Sequence, residues 1–410
     1  MKCLLLLPRP VFPLVCGYAL KNYNLIQILA ERYELHLVII TSGELLKEET
    51  DFYKKLGIHV RTYQISKWRS YIRTLRGVFS KKPLQISYYY DRQLQAVMSP
   101  YLEECDILIA ALVRTREYLN PAEKMKKILV FDMVDSIGLN YMRSREKTKS
   151  LFWKLIYGIE GKRLMRYERR AIEESSITYL FNREEQNYWS QYGNVKCLPH
   201  GVNEKLFHYH HYDVRWQDSV VFIGKMDYQP NVDAAVWYME NVHRRIGNQV
   251  PLVIVGAYPT EKVQECARSL PNVTVTGFVD DPYIYLNSAM ALIAPMQTGG
   301  GIQNKVLEGM ALGKVNIISS LAASPIEGGE DGKHFLVADS PDEYVDILLH
   351  WGEKRERYEE VGENAKKLIQ ERYSWKRYGE MYLEGIEEAR LRHVCDVNKV
   401  KEECKKYYLF

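Results

Sequence analysis

The chain has 410 residues, too many for one ordinary core, so two domains of about 200 residues each are expected. No apolar run reaches the roughly 20 residues that cross a bilayer, and the seven cysteines are scattered without a Cys-x-x-Cys pair. A membrane-spanning chain, a disulfide scaffold and a cysteine zinc site are thereby excluded, and reduced thiols in a cytosolic compartment are expected. The net charge of +4 conceals an asymmetry: residues 1–211 carry 33 Lys/Arg against 22 Asp/Glu, and the rest carry 23 against 30. A basic first half suits an anionic partner, either nucleic acid or the inner face of a membrane.

Residues 3–7 are apolar, but Pro8, Arg9 and Pro10 stop the run early, which reads as a first β-strand rather than a signal peptide. Strands are then expected over 35–40, 60–63, 107–111, 128–131 and 177–181, with helices over 19–32, 67–79, 94–102 and 153–174. Such alternation predicts α/β layers with parallel sheets. Within 66–82, Trp68, Ile72, Leu75 and Phe79 recur at helical spacing among six basic residues and no acid. That helix either lies on anionic lipid or packs on its own sheet with a solvated basic face. A second basic stretch, 143–170, carries Trp153, Ile156 and Tyr157, but also acids. Asp132 and Asp135 follow an expected strand and either orient an acceptor hydroxyl or form a turn that caps a helix.

Residues 199–218 hold a Pro-His-Gly turn and a cluster of histidines and tyrosines, the expected interdomain linker. The predicted organisation is therefore a domain over 1–200, a linker over 201–217, a domain over 218–385 and a terminal helix and tail over 386–410, loosely ordered from Asp396. His200 and His208 to His211 read as a solvated polar stretch rather than metal ligands. After the linker the pattern restarts, with strands over 220–223, 252–255, 273–276 and 291–294 and helices over 232–246 and 261–270. Two α/β domains in tandem place a ligand cleft at the carboxyl ends of their strands.

The most informative stretch is 295–313, Pro-Met-Gln-Thr-Gly-Gly-Gly-Ile-Gln-Asn-Lys-Val-Leu-Glu-Gly-Met-Ala-Leu-Gly. A glycine turn entering a helix over 302–312 offers free N–H groups at the positive end of the helix dipole, a site for phosphate. Lys305 adds a cation in the first turn, and Glu308 follows on the same face. A cation for diphosphate beside a carboxylate for sugar hydroxyls suits a nucleotide sugar; a tight strand–helix turn with a surface ion pair has the same spacing.

Several motifs occur in order around that turn: Pro-His-Gly-Val-Asn at 199–203, Phe-Ile-Gly-Lys at 222–225, Tyr-Gln-Pro-Asn at 228–231, Leu-Val-Ile-Val-Gly at 252–256, and Asn-Val-Thr-Val-Thr-Gly-Phe-Val at 272–279. Over roughly 195–340 the chain resembles the retaining glycosyltransferases of the GT-B fold, in particular glycosyltransferase family 4. The resemblance implies two Rossmann-like domains, an acceptor-binding one and a donor-binding one. It implies that Lys225 and Lys305 contact the diphosphate, that Glu308 holds the ribose hydroxyls, and that Phe278 and Val279 read the base. Gly299, Gly300, Gly301 and Ile302 would cradle the diphosphate, and Gly17 would approach the donor from the first domain. No metal or other cofactor is implied, and the expected acceptor is a glycan or a lipid-linked intermediate. Family members often carry a first glutamate where this chain has Gly300, and an asparagine where it has His200. A nucleotide-sugar 2-epimerase of the same fold, or a non-catalytic nucleotide-sugar-binding homologue, are the alternatives. A nucleic-acid partner is not expected, because no recognisable module is present.

Overall fold

A computed structural model describes residues 1–14, 17–125, 127–148, 150–199, 201–298 and 301–407. The chain forms two compact units, Met1–Leu198 with Gly379–Phe410, and Pro199–Tyr378.

The first unit holds seven strands: β1 Lys2–Leu7, β2 Glu34–Thr41, β3 His59–Gln64, β4 Ile107–Ala111, β5 Ile128–Val134, β6 Ile177–Leu180 and β7 Val195–Cys197. All pair in parallel, in the order β3-β2-β1-β4-β5-β6-β7. The central strands are continuous apolar runs, such as Ile-Leu-Ile-Ala-Ala in β4, because helices cover both faces of a parallel sheet and leave no polar side. The second unit repeats the plan with β8 Val220–Ile223, β9 Leu252–Val255, β10 Val273–Gly277, β11 Ala291–Ala294, β12 Val315–Ile318 and β13 Leu336–Val337. Its order is β10-β9-β8-β11-β12-β13, again parallel. Each sheet therefore reverses its winding direction once, between β1 and β4 and between β8 and β11.

Two expectations about organisation change. Residues 201–217 are not a free linker. Val202 N–H donates to the Tyr373 carbonyl at 2.7 Å, Leu206 and Phe207 enter the second unit's core, and Asp213 N–H donates to Ser288 Oγ at 2.7 Å. The donor-side domain expected to end at 385 ends at Tyr378, and the helix Trp375–Tyr407 continues where a loose tail was expected. From Gly379 that helix belongs to the first unit because two glycines let its backbone approach closely. A Cβ at Gly379 would stand 2.9 Å from Ile28, and one at Gly385 would stand 2.3 Å from the Tyr179 hydroxyl. Tyr179 donates that hydroxyl to the Tyr382 carbonyl at 2.7 Å.

A buried ion pair locks the middle of the first sheet. Lys21, on helix Gly17–Arg32, donates to Asp132 Oδ2 on β5, and the Tyr382 hydroxyl donates to the same oxygen at 3.4 Å. Both charges are fully buried. Lys21→Met should therefore cost about 3–5 kcal/mol in denaturant-unfolding stability, because Asp132 is left charged and uncompensated. Pairing it with Asp132→Leu should recover most of that loss; a single variant as stable as wild type would refute the account.

Candidate functional site

In an open parallel sheet, crossovers leaving two neighbouring strands in opposite directions open a crevice at their carboxyl ends. In the second unit the strands concerned are β8 and β11. The loop after β8 holds Gly224 and Lys225; the loop after β11 leads through the glycine turn to helix Asn304–Ala311. A neighbouring loop approaches as closely as backbone allows: a Cβ at Gly256, after β9, would stand 1.8 Å from the Gly224 carbonyl oxygen. Gly301 takes φ +80°, a left-handed conformation that glycine adopts without strain. Gly299 and Gly300, like His200, lie outside the described residues. Ile302 is partly buried against the core, and the helix begins at Asn304, two residues later than the sequence pattern indicates.

Lys305 is buried directly beneath this crevice. Its ammonium donates to Asn231 Oδ1 at 2.6 Å, lies 3.8 Å from Met296 Sδ and sits 4.3 Å from the centre of the Phe222 ring. These are neutral partners, so burial dominates and pushes the Lys305 pKa down to about 7, with the nearby Glu308 carboxylate opposing the shift. Glu308 is half-buried and accepts a hydrogen bond from the Tyr283 hydroxyl at 3.2 Å. Desolvation raises its pKa to about 7, against the lowering effects of Tyr283 and Lys305. An ammonium and a carboxyl that both change charge near neutrality share one helix turn.

The flanks suit a ligand. Lys225 is exposed, pairs with Asp227 at 3.0 Å and lies 5.2 Å from the Tyr258 ring centre. Gly277, at φ +70°, turns the chain out of β10, leaving Phe278 75% exposed and Val279 packed against the core. Asp281 is a structural residue: it accepts from Tyr283 N–H at 3.0 Å and from the Tyr209 hydroxyl at 2.6 Å.

In the first unit Gly17 opens helix Gly17–Arg32. Asp132 does not face an acceptor. It is the buried partner of Lys21, a contact 111 residues apart in sequence that no local pattern reveals. Asp135 is exposed just beyond β5, where Val134 holds φ +69°, and Leu112, after β4, holds φ +64°. Two strained non-glycine residues at the carboxyl ends of adjacent strands cost about 1–3 kcal/mol each, and such strain clusters at functional edges. At the same edge a cavity of about 200 Å³ is lined by Arg9, Thr41, Lys67, Tyr88 and Tyr89, among others.

Asn231 and Tyr283 are the site residues that sequence reasoning missed. Asn231 Nδ2 donates to the Lys225 carbonyl at 3.0 Å while its Oδ1 holds Lys305, so one amide ties the two lysine-bearing segments together. Its place in the Tyr-Gln-Pro-Asn motif was the available signal.

Residues 217–353 match the family model of the glycosyl transferases group 1. An uncharacterized 44.6 kDa protein of the cps region of Klebsiella pneumoniae is 22% identical over 254 residues, 58% of this chain and 63% of that protein. An uncharacterized glycosyltransferase of Methanocaldococcus jannaschii is 25% identical over 170 residues, 39% of this chain and 42% of the relative. The chain thus spans less than two thirds of either curated relative. Among solved structures, Anabaena HepE in complex with UDP superposes with a TM-score of 0.65 at 12% identity, covering 94% of this chain and 100% of that one. The two parallel-sheet α/β units are those of the GT-B fold.

The lowered Lys305 pKa has a measurable sign. An unfolded lysine keeps its proton up to pH 10.5, whereas the folded one releases it near pH 7. The unliganded fold is therefore penalised fully below pH 7, and the penalty fades as pH rises toward 10.5. Lys305→Met should stabilise the unliganded protein by about 1–3 kcal/mol at pH 6.5, with the gain shrinking toward pH 10. A variant destabilised equally across that range would refute the assignment.

Proposed function

We propose that the protein is a glycosyltransferase that moves a sugar from a nucleotide-diphosphate sugar to a glycan or lipid-linked acceptor. The observation that carries this reading is the placement of Glu308 and buried Lys305 on one helix turn at the β8/β11 switch point, inside the segment that matches the glycosyl transferases group 1. Retention of anomeric configuration belongs to the reading through the family resemblance, as does independence of a metal.

Glycosyl transfer builds positive charge at the anomeric carbon and negative charge on the departing diphosphate. Stabilising that diphosphate is the main electrostatic task. Lys305, Lys225 and the amino end of helix Asn304–Ala311 supply positive potential where it develops. Glu308 accepts from ribose hydroxyls, and the exposed Phe278 with the chain at Val279 receives the base. HepE has been solved with UDP and with UDP-glucose, which makes a uridine diphosphate sugar the first donor to test. On the acceptor side, the reading is supported by the first unit's cavity beside Arg9 and Lys67, and by helix Lys67–Val78, which starts at that wall and suits a peripheral position on an anionic membrane face.

A diphosphate beside Lys305 restores the charge that burial suppresses. UDP binding at pH 8 should therefore take up protons, up to nearly one per site, measured by calorimetry in buffers of different ionisation enthalpy. In a panel of UDP, GDP, dTDP, CMP and ADP, one diphosphate should raise the thermal midpoint selectively, and Glu308→Ala and Lys305→Met should each lose that rise. No shift with any nucleotide, or full transfer activity in both variants, would overturn the proposal.

A further inference from the structure

Helix Lys67–Val78 is oriented opposite to an ordinary surface helix. The face against the protein is polar or small: Ser70 is fully buried, and a Cβ at buried Gly77 would stand 2.6 Å from Ser87 Oγ. Arg73 points the same way, donating to Asp91 Oδ2 at 2.7 Å, to Ser70 Oγ at 2.8 Å and to the Tyr88 carbonyl at 3.3 Å. The apolar residues are the ones left outside: Trp68 (74% exposed), Tyr71, Leu75, Val78 and Phe79 (95%). Their spacing of three and four residues makes one ridge.

A second ridge begins where this one ends. Arg163, on helix Leu151–Glu173, donates to the Val78 carbonyl at 2.8 Å and to Glu160 at 2.8 Å; Glu160 in turn accepts from Leu84 N–H at 2.7 Å. Ile159, Leu155 and Phe152 precede Arg163 at intervals of four, four and three residues, on the same helix face, and all are exposed. No residue from Leu151 to Ile159 is buried.

We infer that the ridges of helices Lys67–Val78 and Leu151–Glu173 form one surface, joined at Arg163 and Val78, that docks on an anionic lipid bilayer. Charge selects this occupant. No acid occurs between Lys67 and Lys82 or between Leu151 and Ile159. Lys67, Arg69, Arg76, Lys81, Lys154 and Lys162 have no ion pair among the described residues. A basic rim around exposed aromatic and aliphatic side chains is what an anionic lipid–water interface takes up. Among the described residues no helix is long and apolar enough to cross a membrane, so the contact is interfacial. This inference deepens the peripheral-membrane part of the proposed function. It adds a second helix and places Arg73 on the inner face of the first. It is tested separately from the donor site, whose residues lie in the second unit.

The test is flotation of the full chain with vesicles of phosphatidylcholine, alone or mixed equally with phosphatidylglycerol. Binding should require the anionic lipid and weaken in 0.5 M salt. Leu155→Glu with Ile159→Glu, and separately Trp68→Glu with Leu75→Glu, should each lower vesicle partition about tenfold or more. All four positions are exposed, so both variants should keep the wild-type thermal midpoint and the wild-type response to UDP. Failure of wild type to respond to UDP, with lipid binding intact, would count against the transferase reading alone. Absence of binding to anionic vesicles would overturn the inference, as would binding untouched by the 155/159 pair. Wild type that ignores vesicles but self-associates, with either pair restoring the monomer, would assign the ridge to a second copy instead.

Discussion

The chemistry of the second unit turns on one buried ammonium. Burying a lysine without a full counter-charge is unfavourable, and the folded state responds by lowering its affinity for the proton. Lys305 meets Asn231, Phe222 and Met296, which satisfy its geometry without neutralising its charge. Glu308 sits nearby but is itself desolvated and held by Tyr283. The site is electrostatically incomplete, a state that an arriving anion relieves. Lys21 in the first unit is the contrast. It is equally buried, and burial lowers its pKa too, but it donates directly to a buried carboxylate that opposes the shift, with Tyr382 on the same oxygen. Lys21 has its counter-ion within the fold, whereas the strongest partner for Lys305 would come from outside.

Asn231 makes this arrangement depend on the sheet rather than on the glycine turn alone. Its amide fixes the Lys225 carbonyl on one side of the switch point and the Lys305 ammonium on the other. Gly224 leaves room for it, since a Cβ there would stand 2.6 Å from Asn231 Nδ2. Behind the helix, Gly309 permits the same close approach to β12, where a Cβ would meet Asn316 Oδ1 at 2.5 Å. The helix that carries Lys305 and Glu308 is therefore seated tightly on its sheet.

What could be read from the chain follows from the range of the interactions involved. Strands β8, β9 and β11 coincide to the residue with the predicted runs, because a strand buried on both faces is a continuous apolar segment bounded by polar residues. Strands β7 and β13, of three and two residues, are too short to show a pattern. The shared helix turn of Lys305 and Glu308 was legible because a helix face is a local feature. Asn231 and Tyr283 were not singled out, because their contacts span 74 and 25 residues. Asp132 was misread for the same reason. Its partner Lys21 lies far away in sequence, and a strand-end aspartate looks alike whether it faces a substrate or a buried lysine. The packing of residues 201–217 and the return of the chain at Gly379 also depend on tertiary contacts that composition does not encode.

Helix Lys67–Val78 shows where amphipathic pattern stops being informative. Periodicity separates an apolar face from a polar one, but it does not say which of them meets the protein. Here the inner face is supplied by Ser70, Arg73 and Gly77, and specific partners make that polar packing sustainable: Asp91 balances the guanidinium, and the Tyr88 carbonyl accepts from it. Asp91 is itself fixed through its N–H, which donates to the buried Tyr118 hydroxyl at 2.7 Å. Turning the apolar ridge inward would bury Trp68 and Leu75 but strand the Arg73–Asp91 pair, so the polar network holds the ridge outward. A globular domain that exposes such a ridge in water does so at a cost in free energy, and contact with an apolar surface recovers it. The basic rim restricts that surface to an anionic one. Lys67, which opens the helix, also lines the cavity at the carboxyl edge of the sheet, so an amphiphilic ligand bound there would lie beside the ridge.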